Sequence, residues 1–190
     1  HRGPDAEGYW SNKTTFLGHR RLKIIDLSDS ANQPFIDNKA GLALIYNGEI
    51  YNYIELREKL KSCGFNFETA SDTEVVLKAY QQWGTSCFAN FDGMFAGAIL
   101  HFDTGKLVLF RDHLGQKPLY YFHDGRNLIF SSELRAITSL PGFDWRLSHE
   151  NFYRYLSNSY YGLDSSPIKG IKKLVPGHYL EVSKNNVLLE

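Results

Sequence analysis

The sequence predicts an α+β fold in which antiparallel sheets are covered by helices. Three observations carry this. Apolar runs of strand character come first, two amphipathic helical segments follow, and hairpin patterns fill the second half, so strands and helices are segregated rather than alternating around a parallel sheet. Two glycine-containing turns, Asp103-Thr104-Gly105 and Asp124-Gly125, each separate a pair of apolar runs. The length of 190 residues suits one domain with a substantial core.

Taken in order, His1 to Trp10 is polar and punctuated by Gly and Pro, and reads as a loop. Phe16 to Asp26 mixes β-branched and basic residues and reads as a strand. Leu42 to Tyr46 is a short apolar run that suits a buried strand and stops at Asn47-Gly48. A helix follows, with Asn52 as cap and Glu55 as its partner. Tyr53, Leu56, Leu60 and Cys63 recur at helical spacing and Gly64 forms the stop. Ser71 and Glu74 repeat the capping pattern for a second helix, whose stripe is Val75, Val76, Ala79, Tyr80 and Trp83 and whose end is Gly84. Hairpins are expected from Met94 to His101 with Lys106 to Arg111, and from Pro118 to Phe122 with Asn127 to Ser131. Short helices span about Ser132 to Leu140 and Ser148 to Leu156, the latter capped by Ser148. The tail is mostly loop, with a last hairpin around Tyr179 to Val182 and Val187 to Leu189.

Composition narrows the function classes. Lys and Arg number 21 and so do Asp and Glu, giving zero net charge, whereas nucleic acid and anionic membranes demand a basic excess. Aromatics make up 15% and charged residues 22%, a balance that supports a packed core. No apolar stretch approaches the ~18 residues of a membrane span and no signal-peptide pattern is present, so a cytoplasmic protein is expected. Met94 is the only methionine, from which the chain is expected to continue upstream of His1. Cys63 and Cys87 show no metal-ligand spacing and read as buried structural thiols. No phosphate loop or dinucleotide fingerprint occurs, and no metal site is expected.

Recognition groups are better represented. Asn47-Gly48-Glu49 lies between a strand and a helix, and such a dipeptide favours a plain turn on steric grounds. The chemical alternative is a side-chain amide and a glycine N–H aimed at one spot, as an oxyanion hole requires. On these residues alone the turn is preferred. Arg21 stands in a basic stretch that is either solvated or a fork for a substrate carboxylate. Asp72 begins a helix, where a carboxylate is favourable by itself; the alternative is an anchor for a substrate ammonium. Arg111 to Pro118 reads as a structural corner with internal ion pairing. Together, groups for a carboxylate, an ammonium and an oxyanion fit an α-amino acid bearing a side-chain carbonyl, and glutamine satisfies all three.

Ordered motifs extend this. HRGPD (His1 to Asp5), GHRRLKIIDLS (Gly18 to Ser28), YNGEIYNYIELR (Tyr46 to Arg57), SDTEVVLKAY (Ser71 to Tyr80), DGMFAGAI (Asp92 to Ile99), RDHLGQKPLYY (Arg111 to Tyr121) and FSSELRAI (Phe130 to Ile137) run the length of the chain. With the tail KGIKKLVPGHYLEV (Lys169 to Val182), the whole resembles the glutaminase domain of asparagine synthetases, the class II glutamine amidotransferases with an N-terminal nucleophile. The resemblance implies a four-layer α/β/β/α sandwich of two antiparallel sheets, of the Ntn-hydrolase type. It assigns residues 1–156 to the domain proper and 157–190 to its end and lead-out toward an absent synthetase domain.

The resemblance also implies roles. Arg21 holds the glutamine α-carboxylate, with Leu22, Lys23, Ile24 and Ile25 completing that binding strand. Asn47 and Gly48 form the oxyanion hole, and Glu49 and Asp72 surround the α-amino group. The nucleophile is a cysteine at the first position of the mature protein, upstream of His1, whose own α-amine, with a pKa of about 7.7–8.0, takes the thiol proton. The 190 residues alone are therefore expected to be inactive, and the full protein to hydrolyse glutamine to glutamate and ammonia. No cofactor is implied for this domain. ATP and magnesium belong to the synthetase domain, and the ammonia acceptor is aspartate by family default. The implied partners are glutamine, that synthetase domain and a second copy in a homodimer. A non-catalytic glutaminase-like scaffold and an amino-acid-binding module stay open as alternatives; the residue after the initiator Met separates the first from an enzyme.

Overall fold

A computed structural model describes residues 3–183 and 186–190. Its largest unit is a six-stranded antiparallel sheet made by β3 (Phe35–Asp37), β4 (Leu42–Ile50), β5 (Gly93–His101), β6 (Leu107–Arg111), β10 (Tyr179–Ser183) and β11 (Asn186–Leu189), in spatial order β11-β10-β6-β5-β4-β3. Both faces are covered, which is why Leu42 to Tyr46 is apolar without alternation. One face, carrying Leu44, Tyr46, Ile50, Phe95, Ile99 and Phe110, packs under α1 (Tyr53–Ser62) and α2 (Asp72–Trp83) through Leu56, Leu60, Val75, Val76 and Ala79. The other, carrying Ala43, Ala98, Leu100 and Leu109, meets a second β layer through Leu17, Leu119 and Leu174.

That second layer has two pieces. β1 (Ala6–Ser11) pairs with β2 (Phe16–Arg21), and β7 (Tyr120–His123) lies between β8 (Leu128–Ser131) and β9 (Ile171–Lys173). Outside it follow α3 (Leu134–Thr138), set against β8 with Ile137 buried, and α4 (His149–Asn158). The helix/sheet/sheet/helix order agrees with the expected sandwich. Where one second sheet was expected, the described residues form two. No helix among them is long and apolar enough to cross a membrane.

Several local expectations are corrected. The opening forms β1 rather than a loop: exposure alternates along Ala6–Ser11, and Trp10 turns inward to stack on Phe102 at 4.9 Å. His1 and Arg2 of the first motif lie outside the described residues, as does the turn of the last hairpin at 184–185. The strand expected over Phe16 to Asp26 stops at Arg21. The short edge strand β3 had no clear signature. Asn52 makes no side-chain cap; its amide instead ties Asn90 C=O and Asp92 N–H, each at 3.0 Å. Ser71 does cap α2, accepting from Thr73 N–H at 3.1 Å. Its expected partner Glu74 instead accepts from the N–H groups of Glu68 and Thr69. Cys87 is buried as expected, whereas Cys63 is exposed at the end of α1.

The Arg111 to Pro118 corner is structural but not ion-paired. The Arg111 guanidinium donates to the carbonyls of Gly115, Lys117 and Leu174. Asp112 accepts from the N–H groups of Phe95, Leu114, Gln116 and Lys117. The Arg111 and Asp112 charges are each satisfied by main chain, so the corner is pinned to β5 and to the loop before β10.

Candidate functional site

The site begins at an edge of β4. β3 pairs with β4 only as far as Leu44, so beyond it one side of β4 has no neighbouring strand. In antiparallel pairing alternate residues send N–H and C=O to the same side. Across from Gly48 stands Phe95, whose N–H donates to Asp112 Oδ2 (3.2 Å) and whose C=O accepts from Asp112 N–H (2.7 Å). Phe95 has no group left for β4, so Gly48 turns its own N–H to the open side, together with Tyr46 and Ile50. These neighbours are satisfied: Tyr46 N–H by Gln33 Oε1 (2.6 Å) and Ile50 N–H by Asp72 Oδ2 (3.1 Å). Between them the Gly48 N–H faces the cleft with no acceptor among the described residues.

Glycine is required there. A Cβ at position 48 would sit 2.2 Å from Met94 O and 2.6 Å from Phe95 Cα. Asn47 and Glu49 project to the sheet face opposite Tyr46, and neither side chain has a partner among the described residues. Asn47-Gly48 is thus not the turn that its composition favours. It is mid-strand, paired with Ala96 and Phe95.

The cleft measures about 750 Å³ and is lined by Arg21, Leu22, Ile24, Ile25, Asn47, Gly48, Glu49 and Asp72. Of the residues expected at the site only Lys23 lies off it. Its Nζ pairs with Asp29 at 2.8 Å and its N–H donates to Asp5 Oδ2 at 2.9 Å. Residues 22–25 are a loop rather than a strand, for a reason visible at Arg21. That buried guanidinium donates to the carbonyls of Ser28 (2.8 Å) and Asp26 and to Asn32 Oδ1 (2.9 Å), gathering the chain into a bend. Among the described residues three of its five N–H groups are so used, leaving Nε–H and one hydrogen of Nη2. Asp26 closes the loop onto the start of α2 by accepting from Ala70 N–H (2.9 Å), and bonds from the Ser28 hydroxyl and N–H hold its carboxyl below the ordinary range.

Asp72 is only 5% exposed, and its Oδ2 accepts from Tyr46 OH at 2.9 Å as well as from Ile50 N–H. Burial pushes its pKa up, partly opposed by these two donors and reinforced by Glu49. Such a carboxylate gains from an arriving cation. Burial together with the adjacent Asp72 likewise holds the Tyr46 phenol well above its ordinary value.

Tyr46 and Gln33 had no separate sequence signal, and neither had His19. The His19 Nε2–H donates to Tyr46 C=O at 3.0 Å, while its buried Nδ1 has no partner among the described residues. Burial lowers its pKa, against the bond to Tyr46, and Arg21 adds to the effect. The far wall of the cleft, Lys117, Ser131, Ser132, Glu133 and Ala136, comes from the Arg111 corner, β8 and α3. Two of the family-like motifs converge there, yet no residue of either had been assigned to the site.

Comparison with known proteins agrees with this geometry. A family profile described as the glutamine amidotransferase domain matches residues 1–190. The chain is 34% identical over 194 residues to asparagine synthetase [glutamine-hydrolyzing] 3 of Bacillus subtilis, covering 98% of this chain and 31% of that protein. It is 37% identical over 183 residues to amidase chry2 of Gibberella zeae, covering 95% and 26%. Among solved structures it is similar to the glutamine phosphoribosylpyrophosphate amidotransferase of B. subtilis complexed with ADP and GMP. There the TM-score is 0.62 at 21% identity, covering 91% of this chain and 34% of that one. The chain spans about a third of the length of the curated relatives it matches.

Proposed function

The chain belongs to the glutamine amidotransferase domain family, and from that premise we propose that it is the glutamine-hydrolysing part of an asparagine synthetase-type enzyme. One observation carries the proposal. Two donors with no partner among the described residues, Gly48 N–H and the Asn47 side-chain amide, share a cleft with a buried carboxylate and a guanidinium that uses three of its five N–H groups there.

Glutamine would sit with its α-carboxylate on the remaining N–H groups of Arg21 and its ammonium toward Asp72 and Glu49. Its side-chain carbonyl would lie at Gly48 and Asn47. Attack by a nucleophilic thiolate forms a C–S bond and drives the carbonyl electron pair onto oxygen, where Gly48 N–H and Asn47 Nδ2 hold it. Collapse of that intermediate breaks the C–N bond, and the proton first taken from the thiol leaves with the amine as ammonia. Water then cleaves the thioester to glutamate and returns the thiol. The main chain and a sheet-anchored side chain supply the donors, so little reorganisation is needed as charge develops.

The acceptor of the ammonia is set outside this domain. Aspartate is our assignment, with ATP and magnesium acting in the further domain and the cytoplasm as the compartment. The test is glutamate release by the full-length polypeptide. The unmutated full-length polypeptide should hydrolyse L-glutamine, and Asn47→Ala should lower kcat by ~10²–10³ with KM little changed. A loss confined to KM would show that Asn47 binds substrate instead of stabilising the oxyanion.

A further inference from the structure

Along the open side of β4 side chains take the place of a neighbouring strand. Pairing with β3 stops at Leu44, and Tyr46, the next residue whose main chain faces that side, is held from elsewhere. Its N–H donates to Gln33 Oε1 (2.6 Å) and its C=O accepts from His19 Nε2–H (3.0 Å). That carbonyl belongs to the peptide joining Tyr46 to Asn47. Its orientation fixes where the Asn47 side chain leaves the strand and, one peptide further, where the Gly48 N–H points. A paired strand could hold the same carbonyl, but it would also claim the Gly48 N–H. A side-chain donor holds the first and leaves the second open.

His19 supplies that donor. A carbonyl only accepts, so the ring nitrogen facing Tyr46 carries the hydrogen and Nδ1 carries a lone pair. Nδ1 is buried with no partner among the described residues, a costly state that a side chain serving packing alone would not impose. Burial, and then the Arg21 guanidinium, disfavour a second proton on the ring. The bond is therefore made without adding a cation beside Arg21. The ring is also fixed in place. His19 stands opposite Gly8 in the β1–β2 pair, and a Cβ on Gly8 would come within 2.2 Å of the Gln33 carbonyl oxygen. One hairpin thus carries His19 and packs directly on Gln33, the two residues that hold the main chain of Tyr46.

We propose that His19 is a positioning residue for the oxyanion hole: through its Nε2–H bond to Tyr46 C=O it aligns the Asn47 amide and the Gly48 N–H with the developing charge. This deepens the glutaminase reading and rests on it. A misplacement of about 1 Å can cost ~10² in rate without removing any contact to substrate. The loss therefore belongs to kcat and not to KM.

The test uses the full-length polypeptide. His19→Leu keeps an apolar bulk and has no donor, whereas His19→Gln can place an amide N–H where the ring Nε2–H stands. His19→Leu should lower kcat for glutamate release by ~10–100-fold with KM within about twofold, and His19→Gln should recover kcat to within about threefold of the unmutated polypeptide. Undiminished kcat in His19→Leu overturns the proposal. So does a rise in KM alone, which makes His19 a substrate-binding group, and so does a glutamine variant as slow as the leucine one. Nitrogen NMR of the unmutated, histidine-labelled polypeptide decides the matter even where the leucine variant does not fold. With the ring assigned by its loss in His19→Gln, Nε2 should carry the hydrogen; a bare Nε2 overturns the proposal. Absence of glutamate release from the unmutated polypeptide would defeat the glutaminase reading instead, and the NMR would still decide whether His19 donates to Tyr46.

Discussion

Replacing Gly48 by alanine tests the strand geometry that creates the site. The added Cβ would lie 2.2 Å from Met94 O, 2.6 Å from Phe95 Cα and 2.9 Å from Phe95 Cβ. These are main-chain atoms and a first side-chain atom of β5, so no rotamer change relieves them. Ordinary contact begins near 3.4 Å, and β4 must separate from β5 by about 1 Å or rotate about its axis. Neither is easy, because β5 is held on its other side by the two bonds between Phe95 and Asp112. Overpacking of this kind costs about 1–3 kcal/mol. With a urea m-value of ~1–3 kcal/mol/M, that lowers the unfolding midpoint by roughly 1 M at constant m. The same displacement moves the Gly48 N–H off its target, so kcat for glutamate release should fall by ~10²–10³ even in the fraction that remains folded. A Gly48→Ala protein with an unshifted urea midpoint and undiminished kcat would refute both the tight β4–β5 approach and the outward N–H.

Arg21→Lys should raise KM for glutamine and also destabilise the free protein by about 2–3 kcal/mol, since a lysine cannot hold the Asp26 and Ser28 carbonyls and Asn32 together; urea unfolding and steady-state kinetics on one sample separate the two losses. Asp72→Asn should have opposite effects on stability and binding. Burial raises the Asp72 pKa, so its contribution to stability is present at low pH and is lost as pH rises through the folded value. The amide, which still accepts from Tyr46 OH and Ile50 N–H, should therefore raise Tm of the ligand-free protein at pH 7 while weakening glutamine binding. For His19 the sign reverses. Its lowered pKa means that stability is fully present above the ordinary histidine value and is lost as pH falls toward the folded one. His19→Gln should flatten that acid-side decline, and an unaltered Tm-against-pH curve would show that His19 is not the group responsible.

Much of the scaffold was legible in the sequence because it rests on local chemistry. The hairpins around Asp103-Thr104-Gly105 and Asp124-Gly125, the Ser71 and Ser148 caps and the two apolar stripes depend on residues close in sequence. What was hidden depends on a partner far along the chain. Asn47-Gly48 looks like a turn until β5 is placed beside it, because only the approach of Met94 and Phe95 explains the glycine. Arg21 looks like a free fork until the loop through Asn32 folds back onto its guanidinium. β1 escaped notice because its inward residues are Ala6, Gly8 and Trp10, too few and too small to show a strand period. Cys63 shares helical spacing with Leu56 and Leu60, but it falls one residue past the last turn of α1, where the stripe has left the core.

These details bear on the chemistry. The Gly48 N–H is left open to the cleft because the pairing of β3 with β4 stops at Leu44 and because Gln33 and Asp72 take up the neighbouring N–H groups. Residues that never meet substrate, Phe95 and Asp112 among them, therefore decide where that donor points.

The most direct measurement is a crystal structure of the full-length polypeptide with L-glutamate bound as product. The geometry predicts its α-carboxylate on Arg21, its ammonium toward Asp72, and one side-chain carboxyl oxygen about 2.7–3.1 Å from both Gly48 N and Asn47 Nδ2. Glutamate bound elsewhere, or in the cleft with its side chain directed away from Gly48, would contradict it.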